Sequence, residues 1–248
     1  MQQITVVIIA KNESKNIRDC VLSCKQVTDK IIVVDSGSTD DTIAVAERAG
    51  ARVVIKEWQG YGRTRNAGAD EALNDWILNL DADERITEML ASSIKKLAAP
   101  DGKTIYGFKR TVFYKGQRIR FGEWGRDKVY RIYNRKYAAW NDAAVHEDIE
   151  GEGCRRELLE GTALHFTVAN DVQDSEKVQK YARLSAKKYY KEGKKATLTK
   201  RFLAPVFSFL KTYILYFGFL DGKAGLEIAL SITKYVWLKY RILHEMAE

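Results

Sequence analysis

The chain has 248 residues, 46% of them hydrophobic and 30% charged, enough apolar material for a packed core. That excludes a disordered polyelectrolyte and fits one large domain, or one domain with an appendage. A net charge of +8 and a pI of about 9.2 point to an anionic partner: a nucleotide, a nucleic acid or an acidic membrane. The three cysteines, Cys20, Cys24 and Cys154, are too few and too odd in number for a disulfide scaffold, so a reducing compartment is expected. Cys20 and Cys24 lie four apart on a predicted helix with no second pair to complete a zinc site, and they read as packing residues.

From the start, "MQQITVVIIAKNE" has neither the basic opening nor the apolar length of a signal peptide. Within it, "ITVVII" (4–9) reads as a buried strand. "ESKNIRDCVLSC" (13–24) is amphipathic and helical; "IIVV" (31–34) is a second buried strand. "STDDTIAVAERAG" (38–50) opens on capping residues and closes on Gly50, the mark of a helix. A third strand, "ARVVI" (51–55), a helix, "RTRNAGADEAL" (63–73), and a fourth strand, "DWILNL" (75–80), follow, and "DADE" (81–84) comes at once after the last. Four alternations of strands that are apolar on both faces predict a mostly parallel sheet covered by helices. Ligands of such sheets sit beyond the carboxyl ends of the strands, where Asp35 and Asp81 both fall. From about residue 104 aromatic and β-branched residues alternate with glycines, predicting antiparallel strands that complete the sheet, and "VQDSEKVQKYARLSAKKYYKEG" (172–193) returns to helix.

"DAD" at 81–83 sets two carboxylates two residues apart at a strand tip. Two such anions repel unless a cation lies between them, and Mg²⁺ characteristically takes one or two protein carboxylates with the remaining oxygens from substrate phosphates. The plainer reading is a solvated acidic turn capping a helix at "TEML".

Taken together, "TVVIIAKNE", "IIVVDSGSTDDT", "GYGRTRNAGADEA" and "WILNLDADE" resemble the N-terminal half of a family 2 glycosyltransferase of GT-A fold. "GRDKVYRIYNRKYAAWNDAAVHEDIEGEG" and "LHFT" resemble the lipopolysaccharide core glucosyltransferase branch of that family, so the likeness covers nearly the whole chain. The resemblance implies a nucleoside pocket at Ala10, Asn12 and Glu13, a base contact from Asp35, and Asp81 facing ribose and diphosphate. It also implies that Asp83 ligates Mg²⁺ or Mn²⁺. Arg65 would neutralise the diphosphate, its alternative being an ordinary helix-surface arginine. In "AVHEDI" (144–149) the resemblance favours Glu147 as the base that deprotonates the acceptor hydroxyl, with Asp148 as runner-up and a charged loop as the plain alternative. One of His146 and His165, foremost His165 in "LHFT", completes the metal shell or is a core histidine. The basic residues Arg126, Lys128, Arg131, Arg135 and Lys136 meet acceptor phosphates or form a solvated face.

The expected organisation is a GT-A catalytic domain over 1–193, divided near residue 100 into a nucleotide half and an acceptor half, followed by C-terminal helices over 194–248. Residues 186–201 hold seven Lys or Arg and one Glu, and the apolar segment 202–220 follows, interrupted by Lys211. In the last helix Lys223, Glu227, Lys234, Arg241 and Glu245 form one charged stripe, with Lys239 outside it. Interfacial helices on an anionic bilayer, a soluble bundle and a homo-oligomer contact are the three uses of such a tail.

The resulting expectation is an inverting, metal-dependent transferase at the cytoplasmic face of a membrane, moving glucose from UDP-glucose to a lipid-linked acceptor such as inner-core heptose. Its variants are another nucleotide-sugar with an isoprenoid-linked or polysaccharide acceptor, and a nucleotide-sugar hydrolase or pseudoenzyme on the same scaffold. From another class comes a non-catalytic nucleic-acid-binding protein, disfavoured because strand-end aspartates would repel phosphates.

Overall fold

The computed structural model describes residues 3–97, 102–143 and 147–247. The chain runs β1 (Ile4–Ala10), α1 (Ile17–Cys24), β2 (Ile31–Asp35), α2 (Thr42–Arg48), β3 (Arg52–Ile55), α3 (Tyr61–Asp70) and β4 (Trp76–Asp81). Next come β5 (Glu84–Ile86), α4 (Glu88–Lys95), β6 (Thr104–Tyr114), β7 (Gln117–Arg118) and β8 (Lys128–Asn134). A short pair, β9 (Ala139–Trp140) and β10 (Ile149–Glu150), precedes β11 (Arg155–Val168), α5 (Asp171–Lys191), α6 (Leu198–Phe209) and α7 (Gly222–Glu245).

Among the described residues nine strands form one mixed sheet in the order β3-β2-β1-β4-β8-β6-β11-β5, with β7 on β6. β1 to β4 are parallel, and β8 enters antiparallel to β4, as does β6 to β8. This is the expected helix-covered sheet, parallel over β1 to β4 and completed by antiparallel strands. Strands β1, β2 and β4 are apolar on both faces because both are covered, whereas the edge strand β3, expected to be buried like them, exposes Arg52 and Ile55. Val6 and Ile8 of β1 pack with α1 residues Ile17, Cys20 and Val21 in one core, while Val7 and Ile9 pack with Ala69 of α3 and Trp140 in another. Alternate side chains of one strand therefore serve opposite layers. Cys20 and Cys24 are fully buried packing residues.

Residue contacts divide the chain into two units, residues 1–110 with 128–165, and residues 111–127 with 166–248. The first holds the parallel strands and both large cores. In the second, α5 and α6 pack on α7, whose buried face is Ala224, Gly225, Ile228, Ala229, Ser231, Lys239 and Leu243. Lys239 is buried among the rings of Tyr189, Tyr235 and Tyr240; burial and then nearby Lys194 push its amine below the usual lysine range. The expected charged stripe is not uniformly solvated, since Glu227 bonds Lys115 at 2.6 Å.

One glycine is dictated by closeness of packing. A Cβ on Gly68 would stand 2.4 Å from Val7 Cγ1 and 2.6 Å from Val34 Cγ2, because α3 lies directly on β1 and β2. Gly68→Ala should therefore lower unfolding stability by about 1–3 kcal/mol, read as a reduced urea midpoint; an unchanged midpoint would mean that α3 is not seated this closely.

Candidate active site

Parallel register fixes where the acidic residues emerge. Asp35 ends β2 opposite Ala10, and Asp81 ends β4 opposite Ile9. The two strand tips flank β1, so they are second neighbours, on the order of 10 Å apart at the usual strand spacing.

Asp35 has no exposed surface. Its Oδ1 accepts the backbone N–H groups of Gly37 (2.9 Å) and Ser38 (2.8 Å), and its Oδ2 accepts the Ser38 hydroxyl at 2.5 Å. The polar run after this strand is thus a turn folded around its own carboxylate, with Gly37 at a positive φ of 86°. A carboxylate offers about four acceptor positions, and three are used here. Asn12, in the left-handed region at φ 56°, closes the facing loop: its N–H donates to Ser38 Oγ (2.8 Å) and its Oδ1 accepts from Thr39 N (2.8 Å). Glu13 N donates to Thr42 Oγ1 at 2.7 Å, and Ser14 N to Asp40 Oδ2 at 3.2 Å. Ala10, Asn12 and Glu13 are therefore joined to the Asp35 turn by a continuous hydrogen-bond strap.

At the second tip the arrangement is ionic. Arg65 reaches from α3 with 1% of its side chain exposed, giving Nη2 to Asp81 Oδ1 (2.7 Å) and Nη1 to Glu147 Oε1 (2.5 Å). Arg131 of β8 donates to the other Asp81 oxygen at 3.0 Å. Burial works against ionisation of Asp81, but the Arg131 and Arg65 guanidiniums outweigh it and hold the carboxyl far below the usual range. Burial and the neighbouring Arg65 push Arg131 down, whereas in Arg65 the cost of burial is outweighed by Asp81 and Glu147. The Trp140 ring lies 4.5 Å from the Arg65 guanidinium and 5.2 Å from that of Arg131. Its Nε1–H donates to Asn79 Oδ1 at 2.7 Å, and Asn66 bonds its backbone at both N and O.

Glu84 is also fully buried, accepting from Arg110 Nη1 (2.7 Å) and from the Asp81 N–H (3.0 Å). The acidic segment is not a cap for the next helix: α4 is capped by Thr87, whose side chain accepts from Leu90 N. Nor is Arg65 a surface arginine or Arg131 part of a solvated basic face; both are interior. Of the other basic residues of that stretch, Arg126 and Lys128 are exposed, Arg135 donates to the Ala69 carbonyl and Lys136 pairs with Asp75.

Glu147 and Asp148 face apart, as alternation along an extended segment requires. Glu147 meets Arg65, while Asp148 pairs with Arg156 at 2.7 Å and is 47% exposed. The β9–β10 pairing, with Ile149 opposite Trp140, returns this segment to the site. His146 lies outside the described residues.

Asp83 and His165 come together: Nε2 of the histidine is 3.6 Å from Asp83 Oδ2, and both side chains are largely buried. His165 Nδ1 is buried without a hydrogen-bond partner. Among the described residues no group of three or more His, Cys, Asp or Glu gathers to hold a metal by itself. A hard divalent ion whose remaining ligands are phosphate oxygens and water needs only such a pair, so the residues fit one.

Trp140, Asn79, Asn66, Glu84 and Arg110 are not among the residues expected at the site. Asn79 and Glu84 left a signal, a polar side chain inside or beside an otherwise apolar strand; Trp140 and Arg110 left none.

Together these features define a helix-covered α/β scaffold with an acidic strand edge. A family model, Glycosyl transferase family 2, matches residues 5–160. An uncharacterized glycosyltransferase of Rickettsia typhi is 30% identical over 100% of this chain and 88% of its own length. The lipopolysaccharide core biosynthesis glycosyltransferase LpsC of Rhizobium meliloti is 26% identical over 93% of this chain and 88% of its own. Among solved structures, glucosyl-3-phosphoglycerate synthase from Mycobacterium tuberculosis, in complex with Mn²⁺, UDP-glucose and phosphoglyceric acid, is 26% identical with a TM-score of 0.36. That match covers 47% of this chain and 45% of the other. The protein belongs to glycosyl transferase family 2, and it is a glycosyltransferase.

The strap carries a pH signature. The Thr42 hydroxyl, first among its hydrogen-bond donors, holds Asp40 at about 2 against an ordinary 3.8. A depressed carboxyl contributes stability that is present above its unfolded value and lost as pH falls through its folded one. Protection of the Ser14 and Thr42 amides, relative to their intrinsic exchange rates, should therefore fall as pH drops from 3.8 toward about 2, and Asp40→Asn should remove that step; an identical step in the variant would assign it elsewhere.

Proposed function

We propose that the protein is an inverting, metal-dependent transferase moving a sugar, glucose foremost, from a UDP-sugar to a lipid-linked saccharide such as the heptose of the lipopolysaccharide inner core. The observation that carries this is the convergence of Asp81, Arg65, Arg131 and Glu147 at one strand edge, in the first unit that also pairs Asp83 with His165. The acceptor class is supported by the likeness to LpsC along most of both chains.

In this reading Asp35 offers its remaining acceptor position to the base, and Ala10, Asn12 and Glu13 line the nucleoside pocket. Asp83 and His165 would hold Mg²⁺ or Mn²⁺, which supplies positive charge against the diphosphate. Arg65 and Arg131 stand beside Asp81, where the leaving diphosphate gains charge as the anomeric C–O bond breaks and takes the electron pair. Glu147 takes the acceptor hydroxyl proton as that oxygen attacks the anomeric carbon from the opposite face. One such displacement inverts the carbon.

Arg65 holds Oε1 of Glu147, so the proton goes to Oε2. The incoming diphosphate offers Arg65 a competing anion and loosens its grip on the base. The lipid-linked acceptor places the reaction at the inner face of the cytoplasmic membrane.

Glu147→Gln should keep UDP binding and lower kcat by about 10²–10⁴-fold, with Asp148→Asn near the parent rate, measured as acceptor-dependent UDP release. Normal turnover in Glu147→Gln together with loss in Asp148→Asn would exchange the two assignments. UDP release that ignores acceptor in the parent protein would make it a hydrolase.

A further inference from the structure

The second unit presents an inverted surface. Residues 198–220 are among the most apolar of the chain, yet Pro205 is the only buried residue of α6 and Thr212 the only one of the π-helical stretch Leu210–Leu215. Between 202 and 220 every exposed residue is hydrophobic, including Phe202, Phe207, Leu210, Leu215, Phe217 and Leu220, each more than 40% exposed. Water disfavours so many exposed apolar side chains on one segment, which marks it as a docking surface.

Its charges are turned inward. Lys211, the single charged residue of 202–220, gives its ammonium to Glu123 at 2.7 Å and lies 5.2 Å from the Tyr216 ring. Asp221, which follows, is buried and accepts the N–H groups of Arg120 (3.1 Å) and Phe121 (2.8 Å). The apolar face is thus cleared of unpaired charge, while its approach is basic: Lys195 and Lys200 are exposed, and Arg201 stands beside them.

The shape is not that of one straight spanning helix. At Phe217, in the left-handed region at φ 58°, the chain breaks, and the helical segments on either side are bent by 68°. Among the described residues no single helix is long and apolar enough to cross a membrane.

From these observations we infer that residues 198–220 lie in the plane of a bilayer rich in anionic lipid. Phe207, Leu210 and Leu215 would enter the acyl boundary, and Lys195, Lys200 and Arg201 would sit on the headgroups. A second copy of the chain suits the surface less well. A two-fold contact apposes identical patches and would set basic rim against basic rim. The inference deepens the reading above, on which the lipid-linked acceptor rests; the surface itself stands without it.

The full chain should float with vesicles of phosphatidylcholine containing phosphatidylglycerol and weakly with phosphatidylcholine alone. Phe207→Ser with Leu215→Ser should lower vesicle affinity roughly tenfold or more with an unchanged circular dichroism spectrum, because both side chains are already exposed. Lys195→Glu with Lys200→Glu should abolish the preference for anionic lipid. Absence of flotation, or flotation indifferent to the serine pair, would overturn the inference. So would concentration-dependent self-association, lost in the serine pair, without vesicle binding. Flotation uses no sugar nucleotide, so its failure and that of the transferase reading are separate results.

Discussion

The site depends on one buried ionic arrangement, the Asp81 carboxylate held between two guanidiniums. An arginine as enclosed as Arg65 is tolerated only where carboxylates return what it loses in leaving water. Asp81 and Glu147 do this from opposite ends, and Arg131 shares Asp81 from the far side. The Trp140 ring lies close to both cations, and Asn79 and Asn66 fix that ring. The group ties α3, β4, β8 and the β9–β10 segment together at one strand edge. Removing Asp81 takes the shared carboxylate from two buried guanidiniums, whereas losing either arginine leaves Asp81 the other.

In the proposed reaction a nucleoside diphosphate would exploit such an arrangement, because it is itself an anion able to compete for the same guanidiniums. The other strand tip is built differently. Asp35 is satisfied by its own turn, so it is rigid, neutralised by dipoles rather than cations, and has one acceptor position in reserve. One edge of the sheet thus carries a hydrogen-bonded carboxylate and an ion-paired one, with β1 between them. In the proposed reaction the first suits a neutral base and the second a charged leaving group.

Much of this was legible in the residues. Strands apolar on both faces gave the parallel sheet, and an aspartate at the end of each of two strands put both carboxylates at one edge of it. The alternation at 147 and 148 separated two carboxylates. The helix ends were less clear: α1 begins at Ile17 and α2 at Thr42, both later than the capping residues suggested, because Glu13, Ser14 and Asp40 are spent on the strap between loops. Arg65 and Arg131 were visible as charges but not as interior ones, since burial depends on carboxylates and a tryptophan distant in sequence. Lys211 looked like an interruption of an apolar segment, and only its pairing with Glu123 shows how that charge is accommodated.

The central claim is that one nucleoside diphosphate is held along this edge. A crystal of the protein soaked with UDP and Mn²⁺ tests it most directly. The account predicts uracil at Asp35, the diphosphate at Arg65 and Arg131 with the Arg65–Glu147 bond lengthened, and the ion on Asp83 and His165. UDP bound away from β1, or Asp35 and Asp83 on opposite sides of the ligand-bound molecule, would contradict it.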